Sequence, residues 1–143
     1  MNTWTLAQLL ERHPLIFFHL VTAAGALIIG GMLLLRRKGT VHHKRLGWVW
    51  VLLMASTTVA SGFIRDYEGL NIAGITPIHG FTVLVAVTLP RGVWYVRRGN
   101  LEGHRKTMRG LYFGACVIAG VFTLLPGRFL GGLLWRDWLG VLA

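Results

Sequence analysis

Two stretches decide the fold: HLVTAAGALIIGGMLLLRRKGTVHHKR at 19–45 and HGFTVLVAVTLPRGVWYVRRGNLEGHRK at 79–106. Each reads as a histidine, a long apolar run, an Arg-Arg pair, a short glycine-bearing loop, then a second histidine followed by two bases. The spacing of the polar residues matches. Arg36-Arg37 begins 17 residues after His19, and Arg97-Arg98 begins 18 residues after His79. His43 lies 7 residues after Arg36, and His104 lies 7 residues after Arg97. Apolar runs resemble one another by default, so the polar register carries the inference of an internal duplication.

Working outward, four runs approach the ~20 apolar residues that cross a bilayer as helix. They fall at about 14–35, 46–64, 77–96 and 108–125. The whole chain of 143 residues reads as one transmembrane domain. It is 54% hydrophobic and 14% charged, with mean hydropathy +0.58. Soluble domains carry about 25% charged residues, too many for this chain to match. The expected fold class is all-α: an integral membrane four-helix bundle of two repeated helix pairs. Residues 1–13 do not form a cleavable signal, since they lack a basic start and contain Glu11. Thr5-Leu6-Ala7-Gln8 fits a capping box, so a short interfacial helix is expected there. The segment 129–143, with Trp135 and Trp138, is expected to lie in the interface likewise.

Charge sets the orientation. The chain has 15 Lys and Arg against 5 Asp and Glu. Arg36, Arg37, Lys38, Lys44 and Arg45 lie between the first two runs; Arg97, Arg98, Arg105, Lys106 and Arg109 lie between the last two. The opposite side mixes Arg12, Arg65, Arg128 and Arg136 with acids. The positive-inside rule places the two basic loops in the cytoplasm and both termini outside. A nucleic-acid protein would spread its bases over a hydrophilic face, so nucleic acid is not an expected partner. The basic loops are topogenic, and they also offer a face to anionic lipid or an anionic small molecule. The lone Cys116 sits in an apolar run, which excludes disulfides and thiolate metal clusters within the chain. No P-loop, GxGxxG or GxSxG motif is present.

Ionisable groups inside a membrane are costly and mark functional sites. His19 and His79 fall near the outer ends of runs one and three; His43 and His104 fall at the inner surface before runs two and four. Each level thus draws two imidazoles from two different helices. From His19, helical steps reach Thr22, Ala23, Ala26 and Gly30; from His79, Thr82, Val83, Ala86 and Pro90. From His43 they reach Gly47, Trp50 and Met54; from His104, Met108, Leu111 and Ala115. The small residues leave space beside the outer rings, and also suit close helix packing, as does Gly110-x-x-x-Gly114. Two imidazoles per level fall short of a closed zinc site. They suit haem iron, whose equatorial ligands come from the porphyrin, and two axial histidines favour electron transfer. The expected cofactors are two b-type haems. His42 neighbours His43 and competes with it as the ligand; the repeat spacing favours His43. His13 is expected to be solvated. Arg91 lies near the inner end of run three, six residues before Arg97. It either snorkels to the surface or pairs with a haem propionate or anionic substrate. Trp48, Trp50, Trp94 and Tyr95 read first as an interfacial aromatic belt.

Ligands alternating between helices one and three, then two and four, resemble the four-helix core of the cytochrome b561 family. The stretch 13–125, with Arg37-Lys38-Gly39-Thr40 ahead of His43-Lys44, is also similar to small bacterial four-helix membrane proteins. The resemblance implies an outer haem on His19 and His79 and an inner haem on His43 and His104. It implies a multi-pass protein of the bacterial inner membrane relaying electrons between a cytoplasm-side donor and an outer acceptor or quinone. A small anionic reductant is a further expected partner. Whether the chain is itself a transmembrane oxidoreductase stays open, as does its oligomeric state. The other readings are a cofactor-free accessory subunit and a metal-ion binder using the same histidines.

Overall fold

A computed structural model describes residues 10–64 and 79–125, and 129–132, 134–135 and 140 of the C-terminal segment. The described regular structure is helical throughout. Helix α1 (Pro14–Leu35) opens with proline in its first turn, where a missing N–H costs nothing. Helix α2 (Val41–Phe63) is capped by Thr40, whose hydroxyl accepts from the His43 amide at 3.1 Å. Helix α3 (His79–Arg97) contains Pro90. Helix α4 (Leu101–Leu111) is capped by Asn100, whose side chain accepts from the Gly103 amide at 2.8 Å. It continues without a break through a π-helical segment (Tyr112–Ile118) into α5 (Ala119–Thr123). A short α6 (Phe129–Gly132) follows.

The first expected run, 14–35, coincides with α1. Helix α2 begins five residues before the expected 46, and the fourth helical rod seven before the expected 108. In both cases a capping residue starts the helix ahead of the apolar run. Helix α3 matches the expected 77–96 from His79 onward; residues 77 and 78 lie outside the described set. The expected interfacial helix at 1–13 lies almost wholly outside the described residues, as does much of 129–143.

Both tight turns use one device. Gly39 (φ 84°) precedes the cap Thr40, and Gly99 (φ 75°) precedes the cap Asn100. Positive φ is cheap only for glycine, and the cap satisfies an amide that the helix leaves open. The turns, and His19 with His79, repeat at an offset of 60 residues, whereas His43 and His104 are offset by 61. His43 is therefore the third residue of its helix and His104 the fourth. His43 and His104 thus leave their helices about 100° apart relative to their caps.

Inter-helix contacts give the arrangement. His19 meets Thr57, Ala26 meets Trp50, and Gly25 faces Leu53, so α1 and α2 are antiparallel. Ser61 meets Thr82 and Ile64 meets His79, so α2 and α3 are antiparallel. Gly92 faces Thr107 and Met108 and meets His104, so α3 and α4 are antiparallel. Tyr112 of the π segment packs on Gly30 and Gly31 of α1, and Cys116 lies 3.5 Å from the Met54 sulfur of α2. The buried core is Ala26, Trp50, Met54, Val85, Leu89 and Leu111.

The inward stripes on α1, α2 and α4 follow the expected faces, since Thr22, Ala26, Gly30, Trp50, Met54 and Leu111 are buried. Helix α3 departs from expectation. Its buried stripe is Val85, Leu89 and Gly92, while Val83, Ala86 and Pro90 are exposed. The bulkier Val85 and Leu89 fill the core, and the proline, which deprives Ala86 of an i+4 donor, turns outward. Trp50 also departs from the expected aromatic belt. It is 4% exposed, and its indole N–H donates to the Ala26 carbonyl at 2.9 Å. A buried indole needs such an acceptor.

The outward faces are apolar too. Ile28, Leu52, Val59, Phe63, Val83, Val87 and Val121 are all more than half exposed. A water-facing surface seldom presents so large a contiguous apolar area; lipid accommodates it. Helices α1 and α2 are each long and apolar enough to cross a membrane. The ten bases of the two turns are all exposed at one end of the hairpins, where the Arg97 guanidinium lies 6.0 Å from the Trp48 ring.

Candidate functional site: two histidine levels flanking a packed core

His19, His43 and His104 each precede a core residue, Ala26, Trp50 and Leu111 respectively, by seven positions. Seven residues of helix rise ~10 Å. The core therefore forms a middle layer, with His19 on one side and His43 and His104 on the other. His79 precedes Val85 by six and falls on the His19 side.

At the level nearer the basic turns, His104 Nδ1 lies 2.9 Å from the Gly92 carbonyl. A carbonyl only accepts, so Nδ1 carries the proton and Nε2 keeps its lone pair. A hydrogen bond from the far ring nitrogen to a carbonyl fixes the ring and tautomer of many metal-ligating histidines. His43 lies within electrostatic reach of His104, with Lys38 also acting on it. Its Nδ1 is buried without a hydrogen-bond partner. Buried ring nitrogens are rarely left so, and each one asks for an explanation. Next on the same stripe, Gly47 has open space where a Cβ would stand. His42 is exposed and His43 half-buried, so the structure turns His43 toward the neighbouring helices.

At the level away from the basic turns, His19 Nδ1 lies 3.1 Å from the Thr57 carbonyl, giving the same tautomer as His104. His79 differs, since its Nε2 lies 3.1 Å from the Ile64 carbonyl. The two outer rings are thus each tied to α2 by opposite nitrogens. Around them lies a set of hydroxyls that the histidine pattern did not disclose. Thr22 is buried and donates to the backbone of Phe18 and His19; Ser61 and Thr82 share a 2.7 Å hydrogen bond between α2 and α3. Thr57 Oγ1 is buried without a partner. The run Ala55-Ser56-Thr57-Thr58 inside an apolar helix was the available signal.

The space beside Gly30, expected to stay open, is filled by protein. A Cβ there would lie 2.5 Å from Tyr112 Cδ2 and 2.6 Å from Trp50 Nε1. Any bulky group beside the histidines must therefore lie toward the ends of the bundle from this layer. Arg91 is exposed on the outer surface of α3. Its Nε donates to the Tyr95 hydroxyl at 2.8 Å, one turn nearer the basic end, which is the snorkelling geometry. Among the described residues, no three His, Cys, Asp or Glu side chains converge on a point that would hold a metal ion.

Two helices long and apolar enough to cross a membrane, joined by a basic turn and apolar on their outward faces, fit a helical membrane protein. A family model described as "Predicted membrane protein (DUF2306)" matches residues 16–135, and the chain belongs to that family. No curated protein and no solved structure matches the chain.

Proposed function

We propose that the chain is a four-helix, multi-pass protein of the bacterial inner membrane that holds two b-type haems and relays single electrons. The donor side is the cytoplasmic, basic end, and the acceptor is an outer protein or a quinone. The observation that carries this reading is the inner pair. His104 is fixed through Nδ1 so that Nε2 is available, and His43, within electrostatic reach of it, has a buried, unpartnered ring nitrogen and open space at Gly47. Two imidazoles with no third protein ligand among the described residues favour a macrocycle over a bare metal ion. At the outer level His19 has the ligating tautomer, and His79 would ligate after exchanging its Ile64 bond. When bound, haem supplies the one-electron chemistry. The chain's residues hold the rings in place, seal the middle with Trp50 and Met54, and attract an anionic donor to the basic end.

The test is the colour of the purified protein. Protein from haem-supplied cells is expected to show the reduced α-band of low-spin b haem at about two haems per chain, following from two ligand pairs. Colourless protein would overturn the proposal and leave the histidines as staples between helices in an accessory subunit.

A further inference from the structure

Helices α3 and α4 leave a groove of about 460 Å³ on the outer surface of the molecule, lined by Leu84, Thr88, Arg91, Tyr95, Lys106 and Gly110 among others. It has a direction. Leu84 and Thr88 lie toward the apolar middle, and Arg91 and Lys106 lie toward the basic end. The antiparallel register that sets Gly92 against Thr107 places Arg91 and Lys106 at one level. Both are six residues from the turn, Arg91 before Arg97 and Lys106 after Asn100. That sets them ~9 Å of helix from the turn, deeper than Arg97, Arg98 and Arg105.

A guanidinium held at that depth by its own helix needs a counter-charge. Arg91 spends Nε on Tyr95, which points the fork and leaves its two terminal nitrogens for an anion. Among the described residues no carboxylate lines the groove; Glu102 lines a neighbouring hollow that Lys106 and Gly110 also border, so Arg91 is the cation that lacks an acid beside it. The wall above the cations is apolar, and Gly110 presents open space where a side chain would stand. An anion with a long apolar tail matches both halves.

We propose that this groove is a binding site for one anionic phospholipid, with its phosphate between Arg91 and Lys106 and an acyl chain running past Gly110 and Thr88 toward Leu84. The site is independent of any haem.

Native mass spectrometry of the detergent-purified chain with added phosphatidylglycerol or phosphatidylcholine tests this. The expected result is one retained phosphatidylglycerol per chain. Retention should fall on the order of 10-fold in R91Q/K106Q, since two close charge-assisted contacts are removed. It should stay unchanged in R36Q/R37Q, which removes equal charge from the other turn. Gly110→Leu keeps both cations and fills the groove; it is expected to lose the lipid too, and it answers the question should R91Q/K106Q fail to fold. Equal loss in R36Q/R37Q would show a diffuse basic face and overturn the site. So would unchanged retention in both R91Q/K106Q and Gly110→Leu. Competition by free glycerol phosphate would assign the site to a soluble anion, and co-purified quinone in place of phospholipid would assign it to that carrier; either overturns the lipid assignment.

Discussion

His42 and His43 are adjacent, yet the cap at Thr40 gives them different environments. The capping bond fixes the first turn, and the helix then directs His43 inward and His42 into solvent. His43→Ala is therefore expected to remove about half of the haem absorbance, while His42→Ala leaves it unchanged; a pyridine haemochrome assay on both variants decides it. Gly47 and Gly30 offer a second contrast. A side chain at Gly47 meets nothing within 4 Å, so Gly47→Leu is expected to keep the fold while reducing inner haem occupancy. Gly30→Ala drives a methyl into Tyr112 and Trp50 and should cost about 1–3 kcal/mol, seen as a lower melting temperature in detergent. A Gly47→Leu chain that melts normally with full haem content would show that the space beside His43 does not hold the proposed haem.

The helix starts depend on caps that hydropathy does not weigh. Thr40 and Asn100 begin α2 and the fourth rod five and seven residues before their apolar runs, and the first turns they create are basic. Thr40→Ala and Asn100→Ala should each destabilise by about 1 kcal/mol. Substituting Gly39 or Gly99 by alanine forces a side chain into positive φ and should cost a similar amount. Thermal melts of the four variants, singly and combined across the two turns, check this; near-additive losses are expected because each cap bonds an amide within its own turn. Local signals such as Pro14, the Arg-Arg pairs and the glycines made α1 and the turns legible in the sequence. What was not legible depended on partners far along the chain. The π segment begins at Tyr112, which packs on Gly30 and Gly31. The stripe on α3 is fixed by what Val85 and Leu89 meet. The tautomers of His19 and His104 are set by carbonyls on other helices. Periodicity within one helix contains none of these.

At the scale of the molecule, the asymmetry of charge between the two ends is the strongest single feature. Ten exposed bases gather at the two turns, and the same end carries Trp48 and Trp94, both half-exposed at an interfacial depth. A chain so polarised should insert with the turns in the cytoplasm and the α2–α3 connection outside. Cysteine-accessibility mapping tests this, because Cys116, the single native cysteine, is partly buried beside Met54 and should react slowly. In intact cells, a cysteine replacing Gly39 or Gly99 should resist a membrane-impermeant maleimide, and one replacing Leu10 or Glu11 should be labelled. Lysis should reverse the protection at the turns. Labelling of Gly39→Cys in intact cells would invert the topology. The cations would then face outward, and under the proposed electron relay a donor drawn to them would have to approach from outside, so the proposed direction turns on this one measurement.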